Sequence, residues 1–370
     1  MNTSTNTEPH VPPRIGLIGL GSIGHIHAEH LQTLASEGVV ELVGGMDIAS
    51  EACERFENRF GVRAYENPDD LYETVDAVII ATPNRFHEEY AVSAFESGLD
   101  VFLEKPLAHN LRSAERIAKA AEKADGIGMV GFLNRFNDAV RVFKHYQRQG
   151  RFGEVTHVEA NYVRRRGVPG RGSWFTNKEI SGGGALVDIG VHAIDLALYL
   201  LSFPEVDELT GVTRSQFGGH EDYTYLEMWG EDGEGVFDVD DSASAFIRCA
   251  DDRTVSLEVA WATNRPPTTE FVVQGTEGGA TLDLDGNITI YEASNGGAPH
   301  FADSEIATRR LPAMRSELRA FLSAVAHDEP PKLNTVEEAL VVQRVLDGIY
   351  RSSEGGGAVS LRENPISASD

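Results

Sequence analysis

The chain has 370 residues, of which 58 are Asp or Glu and 32 are Lys or Arg, giving a formal charge of −26. Hydrophobic residues make up 41%, which excludes wholesale disorder, and the length suggests about two domains, each able to bury a substantial core. The acidity argues against nucleic-acid binding and against attraction to anionic membranes, since both need a surplus of Lys and Arg.

Lysine stands only at 105, 119, 123, 144, 178 and 332, so arginine supplies most of the positive charge. Few lysines beside many carboxylates is the balance of a protein suited to concentrated salt, such as a halophile's, where counterions screen self-repulsion. An ordinary acidic bacterial enzyme is the alternative. Cys53 and Cys249 are far apart in sequence and are expected to be reduced and structural.

In chain order, residues 1–13 are polar and proline-containing, without the apolar core of a secretion signal, and read as a flexible leader. No apolar run is expected to reach the ~18 residues of a membrane helix, which points to a soluble cytoplasmic protein. Between Arg14 and about Val130, short apolar strands (14–19, 40–46, 77–81, 101–103, 127–130) alternate with amphipathic helices (23–36, 50–60, 84–97, 111–124). Strands apolar throughout indicate a parallel sheet covered on both faces.

A helix is expected over about 136–148. Beyond Val155 the period becomes two: Val255, Leu257, Val259 and Trp261 alternate with Ser256, Glu258 and Ala260. Phe271/Val273, Leu282/Leu284 and Ile288/Ile290 repeat the pattern. Turn signals at Gly278–Gly279 and Asp285–Gly286–Asn287 separate these strands. This predicts a mostly antiparallel sheet with one covered face, whose other face is expected to serve for dimers. Two helices, about 314–327 and 336–352, close the chain. The expected division is a leader (1–13), an α/β domain with a doubly wound parallel sheet (14–133), an α+β substrate and oligomerisation domain (134–361) and a flexible tail (362–370).

The first strand runs into Gly19-Leu20-Gly21-Ser22-Ile23-Gly24, a G-x-G-x-x-G between a strand and a helix, and Asp47 ends the second strand. In that context the glycines permit a tight turn, close approach of a pyrophosphate and close helix–strand packing, which is the Rossmann fingerprint. Ser22 and Ile23 open the helix whose N-terminus would face the pyrophosphate. A carboxylate at Asp47 accepts ribose hydroxyls and repels a 2′-phosphate, and Ile48, Ala49 and Ser50 offer no arginine, so NAD is favoured over NADP. Asp47 could instead cap the next helix. Thr82, Asn84 and His87, following the next strand, are further candidate cofactor contacts, and Asn84 could equally be a cap.

Glu104-Lys105-Pro106 follows the strand 101–103 on the same sheet edge. In so lysine-poor a chain Lys105 is a candidate to stabilise a developing alkoxide, a plain surface lysine being the alternative. After the glycines at 182–184, Asp188, His192 and Asp195 stand at i, i+4 and i+7 on an apolar helix. A helix apolar nearly all round is buried, and unpaired buried carboxylates are costly, so the stripe is expected to line a cleft. There His192 is a candidate proton acceptor. A satisfied core histidine and a metal site are the alternatives.

Together the G-x-G-x-x-G, the Glu104-Lys105-Pro106 and the Gly-Gly-Gly…Asp188…His192…Asp195 block resemble the glucose–fructose oxidoreductase, inositol dehydrogenase and rhizopine catabolism (Gfo/Idh/MocA) family, in order from Arg14 to about Leu361. The resemblance implies a Rossmann domain followed by an open-sheet domain often used for dimers or tetramers. It implies NAD(P)-dependent oxidation of a sugar or polyol hydroxyl, with Lys105, Asp188 and His192 as the catalytic set. Glu104 and Lys105 would also adjoin the cofactor, and Arg135 and Asp195 would face substrate. A nucleotide-sugar dehydrogenase, a keto-sugar reductase with tightly held cofactor, and a non-catalytic NAD-binding regulator are the alternative functions. The segment Arg164-Arg165-Arg166 to Trp174-Phe175 could recognise a carboxylate, a phosphate or a sugar ring, with Arg165 and Trp174 as candidates. Arginine–carboxylate pairs across a subunit contact are its other explanation.

Overall fold

The computed structural model describes residues 11–220, 222–224 and 235–362, so the expected leader and tail lie almost wholly outside the described residues. The first sheet contains β1 (Arg14–Ile18), β2 (Glu41–Met46), β3 (Arg63–Tyr65), β4 (Ala77–Ile80), β5 (Asp100–Leu103) and β6 (Gly128–Val130), all parallel, in the order β3-β2-β1-β4-β5-β6. The strand order reverses between β1 and β4, which opens a crevice at their carboxyl ends. The connecting helices are α1 (Ser22–Ser36), α2 (Ser50–Phe60), α3 (Pro68–Tyr72), α4 (His87–Glu96) and α5 (Leu111–Lys123). Ala52, Cys53, Phe56 and Phe60 form the buried stripe of α2, which ends at Gly61 in the left-handed conformation. Both β3 and α3 escaped the sequence pattern, being too short to show a period. The helix expected from residue 84 begins at His87, after a 3₁₀ turn Asn84–Phe86.

After α6 (Asp138–Arg148) comes β7 (Val155–Val163), followed by α7 (Lys178–Ser181), a π-helical turn Leu186–Gly190 and α8 (Val191–Leu200). The stretch Lys178–Leu200 spans 23 residues and is long and apolar enough to cross a membrane, contrary to expectation. Its most apolar part is 89% buried within the protein, so that apolarity serves the core. Strands β8 (Val206–Arg214), β9 (Ser242–Cys249), β10 (Thr254–Ala260), β11 (Thr268–Gly275), β12 (Gly278–Asp283), β13 (Ile288–Ser294), β14 (His300–Ile306) and β15 (Val359–Ser360) complete a second sheet with β7. Its order is β14-β13-β12-β11-β7-β10-β9-β8-β15, antiparallel except for β7 beside β10. Val255, Leu257 and Val259 are buried and Ser256 and Glu258 are not, as the alternation predicts.

The chain closes with α9 (Ala313–His327) and α10 (Val336–Gly355), the latter starting at a capping box made by Thr335 and Glu338. A cut at 133/134 does not separate the two cores. Leu318, Phe321 and Leu322 of α9 pack with Ile15, Leu17 and Phe102 of the first sheet, and Phe321 meets Phe102 edge-on at 5.5 Å. Cys53 and Cys249 are free and buried.

Candidate active site

The chain leaves β1 at Gly19, whose φ is +91°, and a Cβ there would lie 2.7 Å from the Ala81 carbonyl. A Cβ on Gly24 would lie 2.0 Å from the Gly19 carbonyl oxygen, whereas one on Gly21 would meet nothing within 4 Å. The loop is therefore closed toward the sheet and open at the N-terminus of α1, where unpaired N–H groups favour an anion. Asp47 does two tasks. Its Oδ2 accepts from the Leu20 N–H at 2.8 Å, bracing the glycine loop, and its Oδ1 accepts from the Ala49 N–H at 2.9 Å at the start of α2. Each oxygen keeps a further lone pair for a ribose hydroxyl. These residues fit a dinucleotide.

From that loop a cleft of about 580 Å³ runs between the two sheets, and Ile23, Thr82, Asn84, Glu104, Lys105 and His192 all line it. Asn84 donates to the Ser181 carbonyl at 2.7 Å, tying the nucleotide side to the glycine run. His87 departs from expectation. It is 1% exposed, its ring nitrogens lie 2.9 Å from the Pro106 carbonyl and 3.0 Å from that of Thr82, and it does not line the cleft. It is a strut under two cleft residues, because its place at the start of α4 points it into the domain.

Glu104 also turns inward, with Oε1 2.7 Å from His27 Nε2. Burial opposes its ionisation, yet His27 and then Lys105 hold its pKa below the usual value. Lys105 crosses to the second domain, where Nζ donates to the Asp188 carbonyl at 3.0 Å and to Asp188 Oδ1 at 3.1 Å. The other oxygen, Oδ2, accepts from the Trp261 indole N–H at 2.9 Å, and Arg164 lies 3.9 Å away. Burial raises the Asp188 pKa, but the Lys105 and Arg164 charges outweigh it and the group stays ionised. One turn on, His192 is almost buried, with Nδ1 unpartnered. Burial, and then the Lys105 charge, lower its pKa to about 3, so the imidazole is neutral at pH 7.

The glycine run is what lets these elements meet. A Cβ on Gly184 would stand 1.8 Å from the Asp240 carbonyl oxygen. The Asp240 carboxylate accepts from the Gly184 and Leu186 N–H groups, each at 2.9 Å, and from the Tyr350 hydroxyl at 2.7 Å, fixing the start of the helical segment.

Three expected substrate contacts are corrected. Asp195 and Arg135 are each 1% exposed and bind one another, with Arg135 Nη2 2.6 Å and Nε 3.1 Å from the Asp195 carboxylate. Arg135 also pairs with Glu338 and is flanked by the rings of Tyr199 and Phe203, at 5.0 and 4.7 Å. Burial pushes Asp195 up to about 6 against the pull of Arg135. The reason is helical rise: seven residues carry Asp195 about 10 Å along the axis from Asp188, past the cleft and into the core. Arg165 is exposed and does not line the cleft; Arg164 does. The two follow directly on the end of β7, where successive residues of extended chain face opposite ways. Arg166 donates to the Thr263 carbonyl and Asn264, pinning the loop. Trp174 lies in the cleft, stacked on Phe175 with ring centroids 3.8 Å apart. Trp261, Tyr162 and His27 belong to the site or its support and were not anticipated. Among the described residues no group of three His, Cys, Asp or Glu is placed to hold a metal.

A 30% identical relative, D-glucoside 3-dehydrogenase of Escherichia coli, matches over 358 residues, 95% of this chain and 98% of its own. scyllo-Inositol 2-dehydrogenase (NAD(+)) of Bacillus subtilis is 26% identical over 88% of this chain and 90% of its own. Levoglucosan dehydrogenase, solved in complex with NADH and L-sorbose, shares the fold with a TM-score of 0.81 at 24% identity, over 94% of this chain and 98% of its own. The NAD-binding Rossmann-fold domain of the Gfo/Idh/MocA oxidoreductase family matches residues 13–132 and the family's C-terminal domain matches residues 140–281. The chain belongs to the Gfo/Idh/MocA oxidoreductase family.

Proposed function

We propose that the protein interconverts a sugar or polyol CH–OH and the corresponding C=O, with NAD as the partner. The observation that carries this is the convergence of Lys105, Asp188 and a neutral His192 in a cleft that begins at the glycine loop. In oxidation the carbon gives up a hydride and the oxygen a proton, leaving the carbonyl. Bound nicotinamide supplies the hydride acceptor, held by the Gly19–Gly24 loop, Asp47, Thr82 and Asn84. His192 takes the hydroxyl proton, and as charge grows on the oxygen its proton affinity rises. Lys105, aimed by Asp188, donates to that oxygen and stabilises it. Trp261 holds Asp188 so that it presents one oxygen to Lys105. NADH formation from a panel of sugars and polyols, read by absorbance in dilute buffer and in molar KCl, tests the reading. No turnover across the panel, in either salt regime or with either cofactor, overturns it.

The preference for NAD rests on the Asp47 charge at the adenosine end. Replacing it by asparagine keeps the braces to Leu20 and Ala49 largely intact and removes the repulsion of a 2′-phosphate. Asp47→Asn is expected to lower the NAD:NADP ratio of kcat/KM about tenfold, the equivalent of ~1.4 kcal/mol. A wild-type enzyme that prefers NADP would sink the assignment.

We read the acidic surface as adaptation to concentrated salt. Among the described residues only Asp195, Asp240, Asp241 and Glu317 are buried acids, so most of the charge faces solvent. Thermal melts are expected to rise from dilute buffer to molar KCl as repulsion is screened; a flat or falling melting temperature contradicts this. The open face of the second sheet presents Val212 and Phe246, 49% and 39% exposed, and we read it as joining two copies. Light scattering should then give at least twice the chain mass, and a monomer at micromolar concentration rejects it.

A further inference from the structure

Among the described residues, Arg164 is a cleft cation that no hydrogen-bonded carboxylate neutralises. Its guanidinium has five N–H donors in a fixed fork, yet among the described residues it carries no hydrogen bond. Its partners are the Tyr162 ring, 5.6 Å from the guanidinium carbon to the centroid, and Asp188 at 3.9 Å, beyond hydrogen-bond reach. Asp188 is already satisfied on both oxygens by Lys105 and Trp261. Glu104, the other acid in the cleft, is turned toward His27. The charged side chains lining the cleft are Lys105 and Arg164 against Asp188 and Glu104; the two acids are engaged by Lys105, Trp261 and His27, which leaves Arg164 as the cleft cation with unused donors among the described residues. The same cleft holds Trp174 stacked on Phe175, and such a ring face packs against the C–H face of a sugar. A half-exposed fork with unused donors is suited to bidentate binding of a planar or tetrahedral oxyanion.

We propose that the substrate is an anionic monosaccharide whose carboxylate or phosphate binds Arg164 while the reacting hydroxyl lies between Lys105 and His192. This rests on the dehydrogenase reading above and adds the substrate's charge class. Cleft volume is consistent, since about 580 Å³ falls in the range of small-molecule sites. In molar salt, where the Debye length is about 3 Å, long-range attraction is screened, so selection of an anion would rest on direct contact with a cation such as Arg164.

The test compares D-glucuronate, D-glucose 6-phosphate, D-glucose and myo-inositol at matched ionic strength. One of the two anionic sugars is expected to exceed the neutral compounds in kcat/KM by about 10–100-fold, and which one distinguishes carboxylate from phosphate. In Arg164→Gln that ratio should collapse, while Arg164→Lys, which keeps the charge without the fork, should retain part of it. Wild-type preference for the neutral compounds, or a ratio unchanged in Arg164→Gln, overturns the proposal and leaves the dehydrogenase reading standing. Binding gives a readout independent of turnover: calorimetric titration of each compound into the NADH-loaded protein should show anion affinity about tenfold weaker in Arg164→Gln. Failure of the wild type to bind either anion rejects the proposal whether or not any sugar is oxidised.

Discussion

Lys105→Ala is expected to lower kcat/KM for the alcohol substrate by about 10³-fold, and His192→Asn by about 10²–10⁴-fold, the range for loss of an oxyanion donor or a general base. The reasoning is geometric. Lys105 Nζ is fixed by Asp188 at 3.0 and 3.1 Å, so its charge is held at one place in the cleft at no further ordering cost when substrate arrives. Its loss also removes one of the charges that depress His192.

A distinctive pH signature follows. The neutral imidazole is the base, and the neutral form persists above its pKa of about 3. Oxidation by the wild type should therefore show no His192 limb between about pH 5 and 8. In Lys105→Ala the residual rate should lose activity at a higher pH, because the acid limb moves up toward the ordinary histidine value. The same shift acts on stability. An unfolded histidine binds its proton near 6.5 and the folded one does not until near 3, so His192 destabilises the fold progressively as pH falls through that window. His192→Asn should remove this slope relative to wild type. Full turnover in either variant, or a wild-type His192 limb near neutrality, would count against the assigned roles.

The second large effect concerns stability. Arg135→Met should cost about 3–5 kcal/mol, because it leaves the Asp195 carboxylate buried without its partner. Combining it with Asp195→Leu should restore most of that loss, since an apolar pair of similar volume can replace a buried ion pair at little cost. Denaturant midpoints of the two variants measure this. An unchanged midpoint together with a raised KM would instead mark Arg135 as a side chain that reaches substrate.

Much of this was written in local periodicity. Strands apolar on both faces specify a buried parallel sheet, and the period-two runs from Val255 onward specify a sheet with one covered face. These patterns depend only on neighbours in sequence, and they placed most elements to within a few residues. The glycines at 19, 21 and 24 could be read because each meets a local steric demand. Scarcity made Lys105 visible, and a spacing of four residues put Asp188 and His192 on one face.

Tertiary structure decided the rest, for reasons that involve distance in sequence. Lys105 and Asp188 are 83 residues apart, and Trp261 reaches Asp188 from 73 residues further on. Asp195 belongs to the same helical stripe as His192, but a stripe says nothing of where along its length a cleft ends and a core begins. Residues Arg164 and Arg165 are chemically identical neighbours, and only the strand's placement in the sheet sends one into the cleft and the other to solvent. Helix α9 lies nearly 300 residues beyond β1 and still completes the first core, because burying its apolar face there is favourable however long the loop between them. Sequence alone determined the fold class and the glycine cradle, and it singled out Lys105, Asp188 and His192 as candidates. The partners that hold those three, and the turning of Arg164 rather than Arg165 into the cleft, follow from long-range packing.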